Sequence, residues 1–476
     1  MVAGDNATAR SRGLALGGVL LAGAVARFWS IASADGLYWP DEVFQSLEPA
    51  HRLVFGYGWQ AWEFAQGARS WFLPGLIAGV FKVCAAIGVD DSSHYLGVVE
   101  VLFAAANLTT AVCVGRLARR LGASGSAALG AVAATALSGV SILISTRATG
   151  ENLGALPVVA GLGLLVAPTR RAEVLWGAAL LVVATFLRLQ HGYFCLAAVG
   201  MVAVGPRRRD VLPLLGVFAV GALSFGLFDE LTWGRWFHSA FTYVSANLME
   251  GKASNYGVAP VWHYLTSLTT AEPLLAPVAV GLAVFGGRAA LPISATALGY
   301  IALHSLIPHK ELRFVWPAVP LLFAAAAVGL SARWPAERTQ RRAAWVAIAL
   351  AVASAMTAPW LTFGRLGIGE PPRATRVFDF AGAEARLLRL AGEREDLCGL
   401  WVKTLPPYRI AGYASLHRPV PLYPDVLRTG REGRFNFVIA RVGDVAGEEI
   451  ARDGERALVK VGAVCEPDPE FDWSLE

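Results

Sequence analysis

Two short stretches carry residue types that could do chemistry together. In the first, Ala34-Asp-Gly-Leu-Tyr-Trp-Pro-Asp-Glu-Val-Phe-Gln (34–45), Pro40 stiffens the chain just ahead of the paired acids Asp41 and Glu42. Asp41 reads two ways: as a cap or first-turn acid favoured by a helix dipole, or as a general base near a membrane surface. The readings are compatible, because a capping position also fixes a carboxylate's direction. In the second stretch, His309-Lys-Glu-Leu-Arg-Phe (309–314), three potentially basic side chains and one acid fall in six residues. Lys310 and Arg313 can simply snorkel from a bilayer edge, with Glu311 paired to one of them. The same set can clamp a phosphate or diphosphate, Arg as a fork and Lys as a point charge.

Other polar residues punctuate apolar sequence. Arg147, Glu151 and Asn152 mark a polar turn between two apolar runs. Asp229 and Glu230 open a longer segment, 229–272, which contains Trp233, Trp236, Tyr243, Asn247, Tyr256, Trp262, His263 and Tyr264. Aromatics in such a place anchor at the membrane interface, and they are also the side chains that stack on sugar rings. Arg188, Gln190 and His191 lie at another boundary, where headgroups can satisfy them.

The elements that must position these residues follow from composition. Of 476 residues, 55% are hydrophobic and 16% charged, and mean hydropathy is +0.49. A disordered chain is excluded, and an ordinary soluble enzyme is disfavoured. Residues 363–476 hold 34 of the 77 charges, so a long apolar body precedes a small polar tail. The reading is an α-helical polytopic membrane protein, 1–362, with an α/β domain at 363–476. The net charge of +5 needs no nucleic acid, since basic loops between spans account for it.

Apolar runs fall near 13–31, 72–88, 95–115, 125–145, 152–168, 173–188, 191–205, 211–228, 273–287, 290–307, 315–331 and 343–361. If 72–88 lies along the surface as a juxtamembrane helix, about eleven spans remain and the loops sort by sign. One side then has fifteen basic residues (Arg10, Arg12, Arg116, Arg119, Arg120, Arg170, Arg171, Arg207, Arg208, Arg209, Arg288, Arg333, Arg338, Arg341, Arg342) against four acids, Asp5, Glu173, Asp210 and Glu337. The other side has nine basic residues and thirteen acids. The basic side is cytoplasmic by the positive-inside rule. The amino terminus is therefore inside, and 32–71, 146–152, 229–272, 308–314 and the tail are all outside. The first run, preceded by Arg10 and Arg12, has no clear cleavage site and reads as an uncleaved anchor. In the tail, 376–391 reads as helix and 397–403, 435–442 and 457–465 as strands. Cys84, Cys113 and Cys195 lie in apolar stretches, whereas Cys398 and Cys465 can pair if the tail meets an oxidising compartment.

Three stretches in order resemble one family. "PDEVFQSLEPAHRLVFGYGWQAWEF…RSWFLPG" (40–75) is similar to the first lumenal loop of glycosyltransferase family 22, the lipid-dependent mannosyltransferases of GPI-anchor and N-glycan precursor assembly. "HKELRF" (309–314) resembles that family's His-Lys-Glu-x-Arg-Phe signature, and 228–266 its large second loop. "GYASLHRPVPLY" (412–423) is also similar. Trp39 stands where the family has His before Pro-Asp-Glu, and Ala259 where His is usual before Pro260. The resemblance implies a GT-C fold with its active site on the non-cytoplasmic face. It also implies a polyprenyl-phosphate mannose donor, a glycolipid or glycan acceptor, and inversion to an α-mannoside.

On that resemblance Asp41 is the base, with Glu42 its neighbour, and His309, Lys310, Glu311 and Arg313 hold the donor phosphate. Arg147, Asn152, Asp229, Tyr256, His263 and Tyr264 are candidate substrate contacts. No DxD-type acidic cluster is visible, so neither metal nor other cofactor is expected. Rival readings are a GT-C enzyme using another polyprenyl-phosphate sugar, and a lipid-linked-sugar flippase, which would call for charges near the midplane and two related halves. Dense Arg, Ala, Gly and Val usage suggests a bacterial chain in a plasma membrane.

Overall fold

The computed structural model describes residues 2–36, 39–369, 372–425 and 433–475, with backbone alone at 2–10 and 474–475. The side chains of Asp5 and Arg10 therefore lie outside the description, as do Leu37 and Tyr38 of the first loop altogether.

The apolar runs become helices, because Ala, Leu, Val and Gly without interrupting charge satisfy the backbone internally. Among the described residues, four helices are long and apolar enough to cross a bilayer: Ser11–Ser33, Ser92–Arg120, Arg208–Trp233 and Glu337–Trp360. The pair Gly125–Leu137 and Gly139–Ser145, bent by 53°, makes a fifth if it is one span. Phe72–Ala86, Gly150–Leu165, Leu189–Val204, Ala276–Phe285 and Ala318–Arg333 are apolar but only 10–17 residues long. Length and composition thus count four or five spans where the run pattern suggests eleven. The apolar character of some short helices faces protein: in Ala318–Arg333 every residue from Ala318 to Gly329 is buried. Side-chain caps set several starts, with Ser124, Ser138 and Thr149 accepting from the N–H three residues on.

The chain divides into two compact units, one of residues 1–30 with 102–376 and the other of 31–101 with 377–476. In the first unit a buried polar chain ties helices together. Arg27, 2% exposed, donates to the carbonyl oxygens of Gly23 (2.9 Å) and Ala136 (2.7 Å), to Asn107 Oδ1 (2.6 Å) and to Ser141 Oγ (3.1 Å). Asn107 Nδ2 in turn donates to Asn152 Oδ1 at 3.0 Å. Asn152 Nδ2 closes the polar turn on the carbonyls of Ser145 (2.8 Å) and Arg147 (3.1 Å).

The second unit is built on a mixed five-stranded sheet. Leu400–Val402 pairs in parallel with Leu422–Pro424 on one side and Phe437–Arg441 on the other. Phe437–Arg441 then pairs antiparallel with Arg456–Lys460, which pairs antiparallel with Glu448–Asp453 at the edge. The strands at 422–424 and 448–453 lack a strong apolar signature, and the sequence pattern missed them. The helix expected at 376–391 begins only at Gly382, because Asp379 and Ala381 take left-handed φ of 58° and 60°. Arg386 then grips Asp379 through two nitrogens, at 2.9 and 3.0 Å. Beyond Lys460 the chain leaves the sheet, and Cys465 forms a disulfide with Cys398. The core of this unit mixes Val43, Phe44, Trp59 and Ala61 with Leu388, Leu400, Ile410, Tyr413, Phe437 and Leu458. A two-residue strand, Gln60–Ala61, also pairs in parallel with Ser474–Leu475.

Candidate active site

In the first unit, the 309–314 loop is held by a network of buried ions. Glu311 accepts from Arg313 Nε at 2.6 Å and meets His309 Nε2 at 3.1 Å. Burial works to raise the Glu311 carboxyl, but Arg313 and His309 outweigh it and hold the group below the usual carboxylate range. Arg313, only 2% exposed, also reaches Glu151 Oε1 at 3.5 Å. Arg188 Nη2 meets the same oxygen at 3.1 Å. Both guanidinium groups face the Phe314 ring, at 5.2 Å for Arg188 and 4.7 Å for Arg313. Two arginines thus converge on one fully buried carboxylate, whose Oε2 finds no partner among the described residues.

Lys310 has a different task. Its ammonium donates to the carbonyl oxygens of Ala259 (2.7 Å), Ile307 (2.5 Å) and Pro308 (3.4 Å), fastening the loop to the 229–272 segment. Burial lowers its pKa. A lysine engaged in this way contributes positive charge and loop shape, while the planar guanidinium forks supply directed donors.

Several other sequence-selected residues gather here. The Tyr256 ring lies 5.9 Å from His309 and is exposed. His263 is lowered first by burial and then by Lys310, His309 and Arg373. Burial raises the Tyr264 hydroxyl, which also senses Glu311, Arg188, Arg313 and Glu151. His263 Nε2 and the Tyr264 hydroxyl are buried and have no hydrogen-bond partner among the described residues. Asn152 closes the turn whose next-door residue is Glu151. Arg147, 2% exposed, donates from Nε and Nη2 to Thr146 Oγ1. Asp229 stands apart in role: it accepts the N–H (2.7 Å) and hydroxyl (2.8 Å) of Ser239 and so caps the helix His238–Val244.

Glu151 and Arg188 were noted in the sequence but not counted among the candidate contacts. Each reads as a boundary residue satisfied by a turn or a headgroup. The available signal was one acid and one arginine at the ends of neighbouring runs otherwise without charge.

In the second unit, Trp39 is buried with extended backbone (φ −117°, ψ 113°) and Pro40 starts the helix, so Asp41 and Glu42 form its first turn. Asp41 is half-buried, and Glu42 is 3% exposed. A further carboxyl belongs to this neighbourhood. Glu63 accepts from Gln45 Nε2 at 2.9 Å, and its pKa is raised by burial and by Asp41, against the pull of Arg69. Nothing in the local spacing connects Glu63 with Asp41; the turn at 56–59 brings them within electrostatic reach. Among the described residues no group of three His, Cys, Asp or Glu side chains is gathered as if for a metal ion.

Comparison with solved structures defines the fold class. ArnT from Cupriavidus metallidurans matches at a TM-score of 0.60 over 97% of this chain and all of that one, with 13% identity. The form of ArnT bound to undecaprenyl phosphate gives 0.61 over 94% and 98%, also with 13% identity. The chain is a mostly helical polytopic membrane protein with the GT-C fold.

Residues 19–401 match the Alg9-like mannosyltransferase family, glycosyltransferase family 22, and the chain belongs to it. GPI mannosyltransferase 3 of Yarrowia lipolytica is 29% identical over 369 residues, covering 72% of this chain and 67% of the relative. Mannosyltransferase APTG1 of Arabidopsis thaliana is 26% identical over 294 residues, covering 59% and 53%. GPI alpha-1,2-mannosyltransferase 3 of Homo sapiens is 23% identical, covering 59% and 51%. The chain thus spans between half and two-thirds of the length of these relatives.

Proposed function

We propose that this chain is an inverting mannosyltransferase that moves mannose from a polyprenyl-phosphate mannose to a glycolipid or glycan acceptor on the non-cytoplasmic face. The observation that carries the reading is the pair of guanidinium groups, Arg188 and Arg313, spaced by buried Glu151 next to the family signature loop. A departing lipid monophosphate needs fixed cations in a partly dry site, and this network supplies them already oriented. Arg313, Arg188 and His309 donate to the phosphate, Lys310 adds charge from its fastened position, and Glu311 orients Arg313 and His309. Asp41 takes the acceptor hydroxyl's proton, with Glu42 beside it. Tyr256, His263, Tyr264, Arg147 and Asn152 line or shape the substrate space, and Asp229 acts through the Ser239 cap.

The topology that goes with this reading has about eleven crossings, the shorter apolar helices included, and a surface helix at 72–86. The amino terminus is cytoplasmic, while the tail from 363 and the loops 32–71, 146–152, 229–272 and 308–314 are outside. The Cys398–Cys465 disulfide supports an oxidising compartment for the tail, and composition supports a bacterial plasma membrane.

The test is purified protein in lipid, incubated with labelled polyprenyl-phosphate mannose and candidate glycolipids. An α-mannosylated product is expected. Transfer confined to another polyprenyl-phosphate sugar would reassign the donor, and movement of labelled lipid across the bilayer without product would point to a flippase. Asp41→Asn should insert normally and lose roughly 10²–10⁴-fold in turnover; near-normal turnover removes Asp41 from the mechanism.

A further inference from the structure

The stretch 412–423 resembles the family but has no part in the chemistry above. In the structure its first residues meet the helix that carries Asp41. That helix runs unbroken from Pro40 through a π-type turn at Val43–Leu47 into Glu48–Phe55. Glu48 follows Asp41 by seven residues, about 10 Å along the axis. Glu48 is fully buried, and its two oxygens bond to separate segments of the unit. Oε2 accepts the N–H of Trp59 at 2.9 Å, and Oε1 accepts the N–H of Ala414 at 2.5 Å. Gly412 makes room for this approach. Its φ is +66°, and a Cβ there would stand 2.5 Å from Glu48 Oε1.

One turn further along, His51, also fully buried, meets His417 Nδ1 through Nε2 at 3.0 Å and the Tyr57 carbonyl through Nδ1 at 3.1 Å. Tyr95 donates its hydroxyl to the Ala414 carbonyl at 2.5 Å. The Tyr413 ring packs edge-on against Tyr57 and Trp59, at 6.0 and 5.6 Å. A buried carboxyl that bonds to two peptide N–H groups from separate segments is costly to place and resists displacement once placed.

We propose that the Gly412–Leu416 turn is a latch for the Asp41 helix, and that Glu48 is the positioning residue that closes it. The latch fixes the height and rotation of the first turn, where Asp41 and Glu42 sit. The proposal rests on Asp41 as base, and it makes the tail part of the transfer machinery. Misplacing a reacting group by about 1 Å can cost on the order of 10²-fold in rate, so a loosened latch should affect kcat and spare donor binding.

Two variants open the latch from opposite sides in the full-length protein in lipid. Glu48→Gln leaves one carbonyl oxygen for two N–H donors. Gly412→Ala drives a methyl into the carboxyl. Each is read by kcat, by KM for polyprenyl-phosphate mannose, and by hydrogen exchange of the peptide spanning 40–47. Each should lower kcat about 10–100-fold with KM moved less than about 3-fold, speed exchange at 40–47, and combine less than additively with the other. Wild-type kcat and exchange in both variants overturn the latch. If the wild-type protein transfers no mannose, the functional reading fails, and exchange alone then decides: faster exchange in Gly412→Ala keeps the latch, and unchanged exchange removes it. If Glu48→Gln does not insert, Tyr95→Phe, which deletes the hydroxyl's bond to the Ala414 carbonyl and its 3.4 Å contact with His417 Nδ1, should give the same kcat-selective loss at smaller size; its absence counts against the proposal.

Discussion

Glu151 in the helical unit and Glu48 in the sheet-containing unit are both fully buried carboxyls, yet they are satisfied in opposite ways. Glu151 meets two guanidinium groups and leaves one oxygen without a hydrogen-bond partner among the described residues. Glu48 meets peptide N–H groups with both oxygens. The first arrangement gathers two cations about one acid, which suits a site for an anionic ligand. The second spends every lone pair direction it needs on the backbone, which suits a fastening. Burial by itself therefore says little about a carboxyl's task; the kind of partner decides it.

Deleting either carboxyl should have the largest effect. Glu151→Ala strands Arg313 and Arg188 without their shared counter-charge, and removal of one partner from a buried ion network costs about 3–5 kcal/mol. Glu48→Ala leaves two peptide N–H groups unsatisfied, at about 1–3 kcal/mol each. Thermal unfolding in detergent, followed by size-exclusion recovery, measures both. A loss below about 1 kcal/mol in either variant would break the comparison.

The disulfide tests the sheet-containing unit alone. Cys398→Ser opens a link across 67 residues and should cost that unit about 2–4 kcal/mol. Limited proteolysis should then cut within 377–476 at a lower temperature than within 102–376. Simultaneous loss of protection in both regions would mean that the two units do not unfold separately.

The smallest effect is a pH slope to which Glu48 contributes. Burial pushes its carboxyl from 4.5 up to about 8, against the opposing N–H donors. Between those values the folded unit holds a proton that the unfolded chain has released, so the group's contribution is full below pH 4.5 and is lost as pH rises through 8. His51 runs the other way. Burial first, then His417, lowers it from 6.5 to about 3, so its contribution is full above 6.5 and is lost as pH falls towards 3. The melting temperature of this unit should therefore decline from pH 6.5 to 8. Glu48→Gln should flatten that decline and leave the acid limb unchanged. A decline of the same steepness in the variant assigns the slope elsewhere.

Much of the helical body was legible in the sequence, because an apolar run without charge has few alternatives to helix near a bilayer. The Asp41 and 309–314 stretches were legible as well, since acids and bases clustered among apolar residues are conspicuous. Less visible was Arg188, which is an ordinary boundary arginine until Glu151 is seen opposite it. Glu63 was invisible for the same reason: its relation to Asp41 passes through a turn and not through a helical or strand period. The tail strands at 422–424 and 448–453 escaped because one is three residues long and the other lies exposed at the sheet edge.

By itself, then, the sequence determined where helices form, which loops carry charge and which residue types stand ready for proton transfer and anion binding. These are local properties, set by side-chain polarity and its period along the chain. Only the tertiary structure decided that two arginines share Glu151, that Lys310 is occupied by carbonyl oxygens, and that 31–101 folds with the tail. Apart from the bonds of Lys310 to Ile307 and Pro308, those pairings join residues tens to hundreds of positions apart, and contacts over such distances are selected by packing and by the cost of leaving buried polar groups unpaired.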